Sequence, residues 1–297
     1  MTGTPPPSWR SLDAAVALSG VAPAVQAALH ADWHTPGEAG AEPPRRRMEI
    51  TAGPGGWPPG LARQSVPLMD RVAAVAAQGN VFWLDGQLRG KVDPQEVRLQ
   101  AAPGAARDAW ALALTEAHRA GGWLPLHAAL VAGPGGAAAV LGVSGAGKST
   151  AALRLRAGGW TVLAEDRAWV DPHGQATGLD RTLRAYRDSV ERFAPALLTE
   201  FGAAPRDPRG KALLALAPAP PAPLRAVLVL APLGAGEVTP AERVRSLWEA
   251  SGVPLTALGR VQAAQAVARL AQGPVWRRVT RDEVPGAVAA LLGPPGP

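Results

Sequence analysis

The chain has 297 residues, 47% of them hydrophobic and 18% charged, with a formal net charge of +6. This composition excludes wholesale disorder, and the length is enough for about two domains with buried cores. Cysteine is absent, which excludes disulfides, thiolate metal sites and a cysteine nucleophile.

In chain order, residues 1–7 and 292–297 read as loose tails. Ser11 to Ala31 carries apolar residues at helical spacing, and Gly20 and Pro23 divide it into two short predicted helices. Residues 35–60 read as loop around one strand at 45–52. The run Arg45-Arg46-Arg47 at its start reads as a solvated strand start or edge rather than a phosphate-backbone patch. Val81 to Leu84, the turn pair Asp85-Gly86 and Gln87 to Val92 predict a hairpin, with a further short strand at Glu96 to Leu99. Ala102-Pro103-Gly104 marks a boundary, which makes residues 1–104 a small mixed α+β N-terminal domain and 105–297 a second domain. That second domain opens with a helix over Ala105 to Ala120, closed by Gly121-Gly122. Strands at 123–131 and 137–142, a glycine loop, a helix to Ala157 and a strand at 160–164 follow, an alternation that predicts an α/β core. Asp180 to Arg192 reads as an arginine-rich helix. Leu224 to Leu230 reads as a buried strand, 240–250 and 260–272 as helices, 275–279 as a last strand and 282–292 as a terminal helix.

The longest apolar regions, around Leu124 to Val143 and Ala212 to Leu233, are broken by Gly, Pro, His127 and Arg225, so neither predicts a membrane span. No N-terminal stretch joins a basic region, an apolar core and a small-residue cleavage site, and the expectation is a cytoplasmic protein without a membrane partner. The arginines are scattered and interleaved with acids, which argues against a nucleic-acid partner.

The most informative segment runs Gly142-Val143-Ser144-Gly145-Ala146-Gly147-Lys148-Ser149-Thr150, straight after the apolar stretch Ala137 to Leu141. Two glycines bracket four residues and Lys-Ser follows, in the strand–loop–helix context that a phosphate-binding loop requires. The glycines let backbone N–H groups converge on an anion, and the helix from Lys148 adds its positive end. Lys148 then serves the β- and γ-phosphates and Ser149 is placed to hold Mg²⁺, with Gly145, Gly147 and Thr150 completing the nucleotide cradle. The predicted strand at 160–164 ends in Glu165-Asp166, on the edge of a parallel sheet that the loop shares. One acid there can hold the metal and the other accept a proton. His127, alone on its strand, reads first as a hydrogen-bonded core residue.

The stretches "PLHAALV", "AVLGVSGAGKSTAALRL" and "GGWTVLAEDRAWV" resemble the catalytic domain of HPr kinase/phosphorylase and its bacterial HPr-kinase-related proteins. The resemblance implies a P-loop kinase core of the HPr kinase/PEP carboxykinase type over about 105 to 290, using ATP and Mg²⁺ to phosphorylate a hydroxyl-bearing protein, peptide or small molecule. It makes His127 catalytic beside Lys148, gives Glu165 the place of the family's general base, and assigns Asp166 with Ser149 to the metal. Gly210-Lys211 ahead of Pro223-Leu224-Arg225 matches the relatives too, and implies a phosphate or substrate contact at Lys211. It also implies a homo-oligomer. Two departures stand out: Glu replaces Asp at 165, and the glycine-rich signature tied to HPr phosphorylation and phosphorolysis is not recognisable after Asp166. Both argue against HPr as substrate. They leave open a nucleotide-binding regulatory module without transfer, and an arginine-rich nucleic-acid binder as the remaining alternative.

Overall fold

A computed structural model describes residues 8–35, 43–68, 71–231 and 236–295. The expected tail at 1–7 and the end of the tail at 296–297 lie outside them, as does 36–42 in the predicted loop region. The chain is a mixed α/β protein and divides into two compact units, Met1–Trp123 with Val253–Gln265, and Leu124–Gly252 with Ala266–Pro297.

The first unit opens with β1 (Ser8–Ser11) and β2 (Ala14–Ser19), an antiparallel hairpin where the first of two helices was expected. Ala14, Val16 and Leu18 are buried while Ala15 and Ala17 between them are not, a period of two rather than 3.6. Leu12 takes a positive φ of 50° at the turn, which no helix accommodates. The second expected helix is present as α1 (Pro23–Trp33), with proline in its first turn. Next come β3 (Arg46–Ala52), β4 (Gln64–Pro67), β5 (Val72–Gln78), β6 (Val81–Leu84), β7 (Leu88–Val92) and β8 (Glu96–Ala101). The eight strands form one sheet in the order β1-β2-β3-β8-β7-β6-β5-β4, parallel only where β3 meets β2 and β8. Asp85 and Gly86 both have positive φ, 53° and 64°, in the three-residue connection of the β6–β7 hairpin, where the Gln87 N–H donates to the Leu84 carbonyl at 2.9 Å.

The strand pleat divides the arginine run: Arg45 and Arg47 are exposed, as expected of a solvated strand start, whereas Arg46 is not. Arg46 points inward and is buried, donating to the carbonyls of Pro94 at 2.8 Å and Ala117 at 2.9 Å. Ala117 belongs to α2 (Arg107–Ala120), which packs against β7, buries Trp110, Ala113 and Leu114, and groups with the first unit, past the boundary expected at 104. Glu116 of α2, fully buried, accepts hydrogen bonds from the backbone N–H groups of Leu255 and Thr256 and from the Thr256 hydroxyl, which ties 253–265 to this unit.

The second unit runs β9 (Leu124–His127), β10 (Ala129–Gly133), β11 (Gly136–Leu141), α3 (Lys148–Ala157), β12 (Thr161–Ala164), β13 (Arg167–Val170), β14 (Gln175–Gly178) and β15 (Thr182–Ala185). It continues through α4 (Arg187–Phe193), α5 (Leu198–Ala203), β16 (Ala212–Ala215), β17 (Ala222–Leu230), α6 (Pro240–Ser251), the part of α7 (Ala257–Gln272) that follows Gln265, β18 (Val275–Val279) and α8 (Val284–Leu292). The strand expected at 123–131 is two strands, broken at Ala128. The helix expected over Asp180 to Arg192 is β15 followed by the shorter α4, because Leu183 and Ala185 alternate into the core between half-exposed Thr182 and Arg184.

The main sheet has the order β12-β10-β11-β17-β14-β13-β9, with β18 on β17 as well. β11, β17 and β18 are mutually parallel, so their C-terminal ends share one edge. The two outer pairs of this order are continuous in sequence: β9 runs on into β10, and β12 into β13. The sheet therefore curls until its margins are joined by two short crossings, at Ala128 and at Glu165-Asp166, and the crossings are tied by a bond from the Ala128 N–H to the Asp166 carbonyl. Val140, Leu153, Val162, Leu183, Leu228 and Val288 fill the core beneath. Among the described residues, no helix is long and apolar enough to cross a membrane.

Candidate functional site

The glycine loop joins the C-terminal end of β11 to α3. Gly145 and Gly147 have φ of 79° and 110°, a region open to glycine at little cost. At Gly142 an added Cβ would stand 3.0 Å from Ala146 Cβ and 3.1 Å from Leu230 Cβ, so the loop closes tightly on β17. No side chain caps α3 at Gly147, which leaves its first-turn N–H groups for a ligand. Ser144 and Gly145 are exposed at the tip, while Ala146 and Thr150 are half-buried. Lys148 is buried and folds back along the loop, its Nζ donating to the carbonyls of Gly142 at 2.7 Å and Val143 at 3.3 Å. Burial pulls its ammonium below the ordinary lysine value, opposed by the charges of Asp166 and Glu165.

The acid pair stands in the crossing between β12 and β13. The Ser149 hydroxyl donates to Glu165 Oε1 at 2.6 Å. Glu165 is buried, and its other oxygen accepts from Arg184 Nε at 2.9 Å. Asp166 pairs with His127 Nδ1 and lies 3.6 Å from Arg184 Nη2. Burial raises the Asp166 carboxyl, but His127, Arg184 and Lys148 outweigh it and hold the group below the usual aspartate range. His127 is not the core residue that its strand position predicts, for its side chain is 52% exposed at the end of β9.

The structure thus brings Lys148, Ser149, Glu165, Asp166 and His127 to one edge of the sheet. It does not bring Lys211 into direct contact with them: that side chain lies over the Tyr186 ring at 4.9 Å, and among the described residues it has no hydrogen bond or ion pair to the loop or the acids.

Two residues outside the expected set hold this edge together. Asp180 Oδ2 accepts from the backbone N–H groups of Glu165, Asp166 and Arg167, at 2.9, 2.7 and 2.8 Å. A single carboxylate oxygen therefore does for the crossing what a neighbouring strand would do in the ladder. Arg184 bridges the acid pair from β15. Strand alternation over Thr182–Ala185 was the signal for Arg184; the arginine-rich helix expected over Asp180 to Arg192 hid it. For Asp180 the sequence holds no comparable signal.

Serine hydroxyl beside carboxylate is a hard-oxygen donor set that suits Mg²⁺. Among the described residues, no group of three or more His, Asp or Glu side chains stands together to hold a metal, so Mg²⁺ here would draw the rest of its shell from phosphate and water. No protein-family model matches the chain, and no curated protein matches it in sequence.

Proposed function

We propose that the chain is an ATP- and Mg²⁺-dependent kinase of the HPr-kinase-related type, transferring the γ-phosphoryl group to the hydroxyl of a protein, peptide or small molecule. The observation that carries this reading is the contact of Ser149, at the end of the glycine loop, with Glu165, beside the Asp166–His127 pair. A phosphate cradle and a proton acceptor are the two parts that phosphoryl transfer asks of a protein. The loop amides and Lys148 bind the phosphates, and bound Mg²⁺ supplies charge neutralisation across them. Ser149 and Glu165 are the residues that would hold the metal.

The geometry favours a division of labour other than the one the resemblance implies. Both Glu165 oxygens are engaged, one by Ser149 and one by Arg184, and the side chain is buried. His127 is the accessible group. Its contact with Asp166 runs through Nδ1, so Nε2 is the ring nitrogen left to face an acceptor hydroxyl. His127 then takes the acceptor's proton and Asp166 fixes the tautomer.

The engaged state of Glu165 also favours a second reading, a nucleotide-binding module that does not transfer. Purified protein with Mg·ATP and a panel of hydroxyl acceptors separates the two. Acceptor-dependent ADP release that falls about 100-fold in His127→Ala, with ATP affinity kept, supports the kinase. ATP binding with no acceptor-dependent turnover, the same in wild type and His127→Ala, refutes it.

A further inference from the structure

The turn after β18 brings one more cation to the glycine loop. β18 is parallel to β17 and β11, so the residues that follow it emerge on the same edge as Gly142–Gly147. Arg281 stands two residues past the strand. Its guanidinium lies against the second half of the loop, with Nη2 donating to the Ala146 carbonyl at 3.3 Å. A Cβ at Gly147 would fall 2.5 Å from Arg281 Nε, so the absence of a side chain there makes the room that the arginine occupies.

This placement is anchored. Arg154 of α3 donates to the Arg281 carbonyl at 3.1 Å and to Asp282 at 2.8 Å, and Glu283 accepts from the Thr280 N–H at 2.7 Å. The adjacent carboxylate, Asp282, is thus engaged by Arg154. Among the described residues, the Arg281 guanidinium has no carboxylate partner and makes one long hydrogen bond to a neutral carbonyl. A planar fork of donors, weakly engaged and held at converging backbone amides, is matched to a phosphate group.

We infer that Arg281 is a phosphate ligand of the bound nucleotide, acting at Ala146–Gly147 while Lys148 acts at Gly142–Val143. The inference rests on the nucleotide-binding reading above and adds to it a residue from a different part of the chain.

The test titrates the full-length protein with Mg·ATP, Mg·ADP and Mg·pyrophosphate by calorimetry, comparing wild type with Arg281→Ala and Arg281→Lys. The alanine variant is expected to weaken all three ligands about tenfold or more, and lysine to restore part of the loss. The thermal midpoint without ligand is expected to be unchanged, since the side chain is exposed. Affinities within twofold of wild type for all three ligands would overturn the inference and leave the nucleotide reading standing. A loss confined to ATP and ADP, with pyrophosphate unaffected, overturns it too, because Arg281 would then serve the nucleoside. Wild-type protein that binds none of the three overturns the nucleotide reading and this inference together.

Discussion

Replacing Asp180 by alanine removes the single acceptor shared by the N–H groups of Glu165, Asp166 and Arg167. A hydrogen bond to a charged group contributes about 1.5–3 kcal/mol, so three set an upper bound near 5–9 kcal/mol. The crossing is partly exposed and water can recover some of the freed amides, which brings the expected loss of folding stability to about 2–4 kcal/mol. Asp180→Asn keeps a carbonyl oxygen for the same donors but gives up the charge, and about half that loss is expected. Urea denaturation reads both values, and amide chemical shifts of residues 165–167 report whether the crossing has moved. Under the kinase reading, a displacement of the acid pair by about 1 Å lowers turnover on the order of 100-fold while ATP affinity, set by the loop, stays within about threefold. A loss under about 1 kcal/mol in Asp180→Ala, with the three amide shifts unchanged, would refute the claim that this carboxylate organises the site.

Two further outcomes concern the first unit. Glu116→Ala leaves buried Arg119 without the carboxylate 2.9 Å away and strands the Leu255 and Thr256 amides, so a loss of about 3–5 kcal/mol is expected by chemical denaturation. The Asp108 carboxyl is held below the ordinary range chiefly by its hydrogen bonds from Arg71. A depressed native value gives stability that is present above the unfolded aspartate pKa of about 3.9 and is lost as pH falls through the native one. Asp108 is 37% exposed, so Asp108→Asn is expected to cost under about 1 kcal/mol at pH 7, with the difference from wild type vanishing in melts at the acid end.

The second unit's strand, glycine loop and helix were legible because they are a local device, in which glycine spacing, the following lysine and serine, and the preceding apolar strand all lie within one short run. The hairpin at Asp85-Gly86 was legible for the same reason: both positive-φ residues announce themselves in the sequence. The first sixty residues were harder, since alanine and valine in β2 satisfy both periods and only burial decides between them. Arg184 was obscured by the same ambiguity. Asp180, Arg281 and the His127–Asp166 pairing were not legible, because each depends on which distant strand lies alongside, and periodicity carries no record of that. The boundary expected at 104 followed a Pro-Gly signal, whereas α2 is drawn to the first unit by Arg46 and Glu116, residues whose partners lie far off in sequence.

The curl of the second unit's sheet has a mechanical consequence. A strand in mid-sheet can shift only by breaking ladder bonds on both sides, whereas the two crossings that carry Asp166 and adjoin His127 are tied by one interstrand bond and by Asp180. Here the backbone can adjust without unzipping either margin. The amides of residues 165–167 should accordingly exchange with solvent faster than those of β11, and faster still once Asp180 is replaced by alanine.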